Sequence, residues 1–303
     1  MQRFPALWLA IAVQSGCSSV ALAQRVPGRD LWDFPVGALA DAPALAGVTG
    51  GGLYNPSSPL QAGRPKGRMV IGVTALEASA DQGVEGQIVH GTWFRGPTSA
   101  FTISVARSAV GGIVRTGTDP QGQGNVPYDS WVTSIGSAHS VTRHLVVGAA
   151  ARYRTGRADA ETGQTIAADL GLTVQHLPLL DARLGVSSFL WRPGREIDDR
   201  SAASVALDAR VLGPRDARGL RVGTSRQWSR RGASETFTSL RARFDVLELV
   251  AGSASTRRFG DRNARARFGV NFHFARYSAG ISREDGVSRL APTYQFSLHT
   301  LLP

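Results

Sequence analysis

From about Arg68 to the C-terminus the chain repeats one unit: eight to twelve residues alternating apolar and polar, then a connector, with short and long connectors taking turns. A period of two sorts side chains onto opposite faces of a strand, and no helix does so. The alternation is cleanest in Asp169 to Gln175, where Leu170, Leu172 and Val174 share one face and Asp169, Gly171, Thr173 and Gln175 the other. It recurs as Val205, Leu207, Ala209 and Val211 against Ser204, Asp208 and Arg210, and as Leu240, Ala242 and Phe244 against Ser239, Arg241, Arg243 and Asp245. Near the end, Phe268, Val270, Phe272 and Phe274 oppose Arg267, Gly269, Asn271 and His273.

Alternation alone leaves a water-soluble sandwich open, because such a sandwich also has one apolar and one polar face. The connectors choose between the two. Fourteen candidate strands start near residues 69, 86, 99, 129, 141, 164, 182, 201, 218, 234, 247, 265, 276 and 292; the segments near 86, 129 and 247 alternate poorly, so twelve and sixteen stay open. Short connectors fall around Arg95-Gly96-Pro97, Ala138-His139-Ser140, Leu177-Pro178-Leu179, Gly213-Pro214-Arg215, Asp245-Val246 and Ala275-Arg276. Longer ones lie between them, at Ser79 to Glu85, Ser108 to Asp129, Thr155 to Gly163, Arg192 to Arg200, Ser229 to Ala233, Ser255 to Asn263 and Glu284 to Pro292. An even strand number with short turns at one end and long loops at the other is the parity of a bacterial outer-membrane barrel, and a sandwich has no reason to obey it. The expected fold class is therefore all-β: a transmembrane antiparallel β-barrel of about fourteen strands over residues 68–303, preceded by an N-terminal hatch or plug segment.

The first 23 residues read as a secretory signal peptide: Met1-Gln2-Arg3 opens with a positive charge, Phe4 to Val13 is apolar, and Ala21-Leu22-Ala23 is an A-x-A cleavage site. The apolar run falls short of the roughly 20 residues a helical span needs. Cleavage after Ala23 removes Cys17, the one cysteine, and one of 34 basic residues, so the mature chain keeps its positive charge and has no thiol chemistry. Gln14-Ser15-Gly16 before Cys17 lacks the aliphatic residue a lipidation signal wants. Lys66 is the sole lysine. The arginines scatter through strand faces and loop ends rather than gathering on a stripe, which points away from nucleic acid and toward a watery lumen and anionic lipopolysaccharide or phospholipid. Outer-membrane lipid and the barrel-assembly machinery are the expected partners, and the outer membrane of a Gram-negative cell the expected location.

Residues 24–67 break the rhythm, with Pro27, Pro35, Pro43, Pro56, Pro59 and Pro65 among small residues. So many prolines exclude a strand run, while Val36 to Leu45 could form one short helix. A periplasmic tail and a plug folded back into the lumen both fit. Within this region Gly37-Ala38-Leu39-Ala40-Asp41-Ala42-Pro43, then Gly47 to Gly52, then Leu53-Tyr54-Asn55-Pro56-Ser57-Ser58-Pro59, resembles the N-terminal region of the outer-membrane fatty-acid transporter (FadL-like) superfamily and its secretion-linked PorV-type relatives. There an "ALADD" stretch leads to an Asn-Pro-Ala motif just before the first strand. Asn55-Pro56 matches that motif, Ser57 stands where alanine is usual, and no second acidic residue follows Asp41. The resemblance implies a fourteen-stranded barrel with an N-terminal hatch in its lumen. Asn55 and Pro56 are the expected hatch corner, an ordinary Asn-Pro turn being the plainer reading.

The last strand runs from Thr293 to Leu301, with Tyr294, Phe296 and Leu298 expected on lipid and Gln295, Ser297 and His299 inside, although it ends Leu301-Leu302-Pro303 rather than in Phe or Trp. Trp93, Trp131, Tyr153, Trp191, Trp228 and Tyr294 stand near strand ends, where an aromatic girdle or simple packing would put them. No His-Glu-x-x-His, Gly-x-Ser-x-Gly, paired-cysteine or phosphate-loop motif occurs. The histidines His90, His139, His144, His176, His273 and His299 fall one per strand or turn, so a metal site would need long-range convergence; no metal or cofactor is expected. Asp159, Glu161 and the run Arg195 to Arg200 read as solvated loop charges, and Ser140 with His144 as a chance pairing. Asp169, Arg210, Arg221, Arg241, Arg243, Asn271 and His273 are the expected lumen lining. The leading functional expectation is a porin-like passive channel for a small hydrophobic or amphipathic solute. A non-transporting scaffold or shuttle for secreted or surface proteins comes second, and an outer-membrane enzyme third. For either of the first two, the loop Ser108 to Asp129 is the expected outer contact surface.

Overall fold

The structure, a computed structural model, describes residues 26–33, 39–47, 52–60, 68–78, 83–115, 124–177, 180–191, 202–213, 218–229, 234–258, 261–286 and 292–303. The signal-peptide reading, Cys17 and the Arg195 to Arg200 run lie outside these residues. Fourteen strands follow one another: β1 Met69–Glu77, β2 Val84–Phe94, β3 Ser99–Val110, β4 Tyr128–Ser140, β5 Leu145–Ala158, β6 Glu161–Leu177 and β7 Ala182–Phe189 make the first half. The second half is β8 Ala202–Leu212, β9 Arg218–Ser229, β10 Ser234–Phe244, β11 Leu247–Arg258, β12 Asp261–Phe274, β13 Tyr277–Glu284 and β14 Thr293–Leu302. Each pairs antiparallel with its neighbours in the chain, and β1 pairs with β14, so the sheet closes on itself and no edge is left to aggregate.

The burial of the two faces is the reverse of a soluble protein's. Leu170 is 61% exposed on the outer face while Asp169 and Thr173 beside it are 0% exposed on the inner face. Phe268, Phe272, Leu240 and Leu207 also point outward, and Arg267, Ser204 and Gln295 point inward. Burying polar side chains while leaving an apolar belt uncovered is stable only where the outside medium is hydrocarbon. At the end carrying the long connectors, called the loop end below, Trp131, Tyr153, Trp191, Trp228 and Tyr294 stand on the outer surface. At the opposite turn end, where β1 begins and β14 ends, Trp93, Phe101, Phe244, Phe272, Phe274 and Tyr277 form a second band. Amphipathic rings settle at the two membrane interfaces, and two bands bracket an apolar belt. Outward-facing Arg107 lies 5.8 Å over the Trp131 ring in the upper band, its stem on apolar surface and its head beside Glu85.

Two expected loops are instead ladder. Thr155 to Gly163 continues as a hairpin, with Thr155 opposite Gln164 and Arg157 opposite Thr162, turning at Asp159-Ala160. Ser255 to Asn263 likewise pairs Ser255 with Ala264 and Thr256 with Asn263. Above the lipid the outer face of a strand also meets water, so the polar-apolar alternation fades while the backbone pairing persists. The β3–β4 connector also begins as a stem, Val114 bridging Asn125 and Val126 N–H donating to the Ile113 carbonyl at 2.7 Å. The helix expected over Val36 to Leu45 is reduced, among its described residues, to a single 3-10 turn at Pro43–Leu45. Proline holds the preceding Ala42 in an extended conformation (φ −68°, ψ 125°), which interrupts a helix before it can propagate.

Candidate functional site

The described parts of the N-terminal segment run through the barrel from one end to the other. At the loop end, Trp32 donates its indole N–H to Ser130 Oγ at 3.0 Å, Asp30 accepts from the Tyr128 hydroxyl, and Arg154 donates to the carbonyl of Pro27 at 2.9 Å. Further along the segment, Leu39 N–H donates to Gln295 Oε1 at 2.7 Å, and Asp41 pairs with Arg241. Lower still, Ser57 Oγ lies 2.7 Å from Thr173 Oγ1, and Leu60 is buried among Val70, Phe94, Ala100, Ala138 and Val146 at the turn end, where β1 begins. The inner wall is cut to receive it. A Cβ at Gly148 would meet the backbone of Pro56 and Ser57, one at Gly185 the carbonyl of Ala44, one at Gly156 the carbonyl of Pro27 and one at Gly171 the Asn55 amide. Glycine at these inward positions lets one backbone lie directly against another.

Asn55 sits at the corner of this path and is 1% exposed. Its Nδ2 donates to the Ala44 carbonyl at 2.7 Å, while its Oδ1 accepts from Ser57 N at 3.0 Å and Ser57 Oγ at 2.7 Å. One side chain thus joins two parts of the segment and closes an Asx turn. Ser57 uses its hydroxyl to couple that turn to the wall, at Thr173. Pro56 packs at Gly148.

The structure places each expected lining residue on or near the inner face, in separate clusters. Asp169 pairs with Arg152, both side chains 0% exposed, and accepts from Trp191 N–H at 3.0 Å. Arg210 pairs with Asp181 at 2.9 Å, and Arg221 donates to Asp208 at 2.7 Å, making with Arg183 one network across β7, β8 and β9 near the turn end. Arg241 joins Asp41 of the segment to Glu248 of β11, 3.4 Å away, and Asn271 donates to the same Glu248 at 3.1 Å. His273 lies 3.1 Å from Ser278 Oγ, and Arg243 reaches the Asp245 carbonyl at 3.5 Å at the rim. A small cleft lies where the segment meets this wall, lined by Asp41, Arg183, Asp208, Arg221, Ser239 and Arg241. Pairing these charges offsets the desolvation that burial in the lumen costs them.

Residues outside that expected set matter as much. Arg152 also donates to Ser134 at 2.9 Å and to the Gly52 carbonyl at 3.3 Å, so it ties wall to segment. Arg265 and Arg267 share Glu235 and Glu284, Arg267 Nη2 lying 2.8 Å from Glu235. The signal for them was present, because Arg152 and Arg154 flank Tyr153, and Arg265 and Arg267 alternate with Ala266 and Phe268. Ser140 and His144 do not meet as nucleophile and base: His144 Nδ1 lies 3.1 Å from the Gln175 carbonyl, and its Nε2 accepts from Arg143.

No protein-family model matches the chain, and no curated protein matches it in sequence. Solved structures do. A Pseudomonas aeruginosa FadL homologue superposes with a TM-score of 0.54 at 11% identity, covering 91% of this chain and 98% of that one. The Pseudomonas putida toluene transporter TodX gives 0.53 at 12% identity over 81% of this chain and 90% of its own. The chain shares their barrel fold. A TodX monoaromatic hydrocarbon channel variant gives 0.51 at 12% identity, covering 89% and 97%. At such identities the likeness is one of architecture, and the fourteen strands counted from the sequence agree with it.

Proposed function

We propose that this chain is an outer-membrane barrel of the fatty-acid-transporter type, a passive channel for a small hydrophobic or amphipathic solute, in which residues 24–67 act as the hatch. The observation that carries the reading is the pairing of an apolar, aromatic-banded exterior with a polar lumen crossed by its own N-terminal segment. A fourteen-stranded barrel is wider than the eight-stranded kind that side chains alone fill, so the segment occupies space that would otherwise be open lumen. The architecture it shares with a solved toluene transporter and a monoaromatic hydrocarbon channel variant supports the same reading. It assigns no catalytic residue.

The second reading is a scaffold that passes nothing. One observation favours it: the described segment fills the lumen from Pro27 at the loop end to Leu60 at the turn end. Liposomes loaded with the purified barrel separate the two, using labelled fatty acid and a monoaromatic hydrocarbon as probes. Uptake by the intact protein, altered in rate when residues 24–67 are deleted, supports the channel. Absence of flux with both proteins, while heat-modifiable gel mobility shows both folded, sinks it and leaves the scaffold.

A further inference from the structure

His90 and His299 are separated by most of the chain, yet the closure of the barrel brings them together. His90 is on β2 and His299 on β14, and the register puts both directly opposite Gly72 of the intervening β1. Both point into the lumen, 2% and 6% exposed, with ring centroids 5.4 Å apart. The rings lean over Gly72 from either side, and a Cβ there would collide with His90 Nε2 and with the Cδ2 edge of His299. Gly72 is therefore what allows the two imidazoles to converge. Among the described residues, neither ring nitrogen of His90 has a hydrogen-bond partner. A buried imidazole ordinarily donates from one nitrogen and accepts at the other, so such a side chain calls for a ligand.

We propose that His90 and His299 form a two-histidine site for a divalent transition-metal cation of the Zn²⁺ or Cu²⁺ kind, fastening the β2–β1–β14 seam where the barrel closes. Imidazole suits these borderline cations, which take nitrogen at about 2.0–2.1 Å, a span two facing rings can bridge after small rotations. Among the described residues no third histidine, cysteine or carboxylate joins them. The remaining coordination positions therefore belong to water or to a lumenal solute, as at an open metal site. The cation would link strands whose mutual register both chain ends depend on, binding the folded barrel and not the unfolded chain.

Copper(II) is the probe for the test, added to the full mature chain carrying no histidine tag, in detergent. Electron paramagnetic resonance is expected to show one equivalent with superhyperfine splitting from two nitrogens, competed away only by a large excess of Zn²⁺. His90→Ala and His299→Ala should each weaken binding by about tenfold or more, since removing merely a ligand's hydrogen-bond partner already weakens metal binding about 10- to 100-fold. His273→Ala, at a lumenal histidine bonded to Ser278, should leave the signal unchanged. Heat-modifiable mobility selects the folded species, and His90→Gln replaces His90→Ala should the latter fail to fold. No two-nitrogen signal from the wild-type protein overturns the proposal, as does a signal that survives loss of His90 or His299 or falls equally with His273→Ala.

Discussion

The two sides of the barrel hold their inner faces in different ways. From β3 to β8 the inward residues are mostly small, Ala106, Ser108, Ser134, Gly148, Ala150, Gly171 and Gly185 among them, and the N-terminal segment lies against them. From β10 to β13 large charged residues stand among small inward ones, and they brace one another across strands: Glu235, Glu284, Arg265 and Arg267 in one cluster, Arg241, Glu248 and Asn271 in another. One side is a seat and the other a self-supporting truss. Among the described residues only Asp41 ties the segment to this second side by an ion pair.

The largest expected effect tests the truss. Arg267 is 1% exposed, donates to both Glu235 and Glu284 and lies 5.0 Å over the Phe237 ring. Arg267→Leu strands two carboxylates with Arg265 alone, and breaking a buried pair from one side costs about 3–5 kcal/mol. The midpoint of the folded-to-unfolded gel transition should fall by that equivalent, while protease resistance of the segment below the midpoint stays as in the wild type. Loss of the segment's protection at the same point would show that the two sides are one unit.

A matched pair of glycines then probes the seat. At Gly148 an added Cβ meets the backbone of Pro56 and Ser57, whereas at Gly280 it meets the ends of Asn271 and Ser297 side chains, which can swing away. Gly148→Ala should destabilise by about 1–3 kcal/mol as an overpacked contact does and should raise segment proteolysis. Gly280→Ala should stay within about 0.5 kcal/mol. Equal losses would erase the distinction between a wall that receives backbone and one that receives side chains.

The wall was far more legible than the seat. Alternation is local, so every strand start read from the sequence lies within a few residues of the observed one. What alternation cannot carry is partnership. Nothing about Asp41 marks it as the partner of Arg241, 200 residues away, and nothing about His90 marks His299. The same limit produced the two loops that are hairpins: once strands rise above the lipid, as at Thr155 and Gln164, the outer face also meets water and the period fades though the ladder goes on. The segment had no period at all, only prolines and the Asn55-Pro56 corner, and its glycine notches are visible only once the barrel is closed.

That corner supplies the next smaller test. Asn55→Ala leaves the Ala44 carbonyl and Ser57 N–H without their buried partner, a loss of roughly 1–2 kcal/mol confined to the seat. Segment proteolysis should rise while the Arg267 cluster, read by the cost of a second Arg267→Leu change, is unaffected. Additivity of the two costs is the expected result for sites that share no partner. A coupling well beyond about 0.5 kcal/mol would mean that the segment props the truss after all.

The smallest effect comes from the second side's exposed counterpart to its buried pairs. Asp245, in the turn joining β10 to β11, accepts from Arg218 Nη2 at 2.8 Å, and that guanidinium holds its carboxyl below the usual range. A carboxylate whose folded pKa is depressed stabilises above its unfolded value and loses that contribution as pH falls through the folded one. Asp245→Asn should therefore melt slightly below wild type at pH 7, and the gap should close on acidification. Both partners lie in solvent, so salt should shrink the gap at pH 7 as well. A difference that persists through acid and salt would mean the turn's geometry, not its charge, is what the aspartate provides; Asp245 has a positive φ of 52°, which asparagine tolerates equally well.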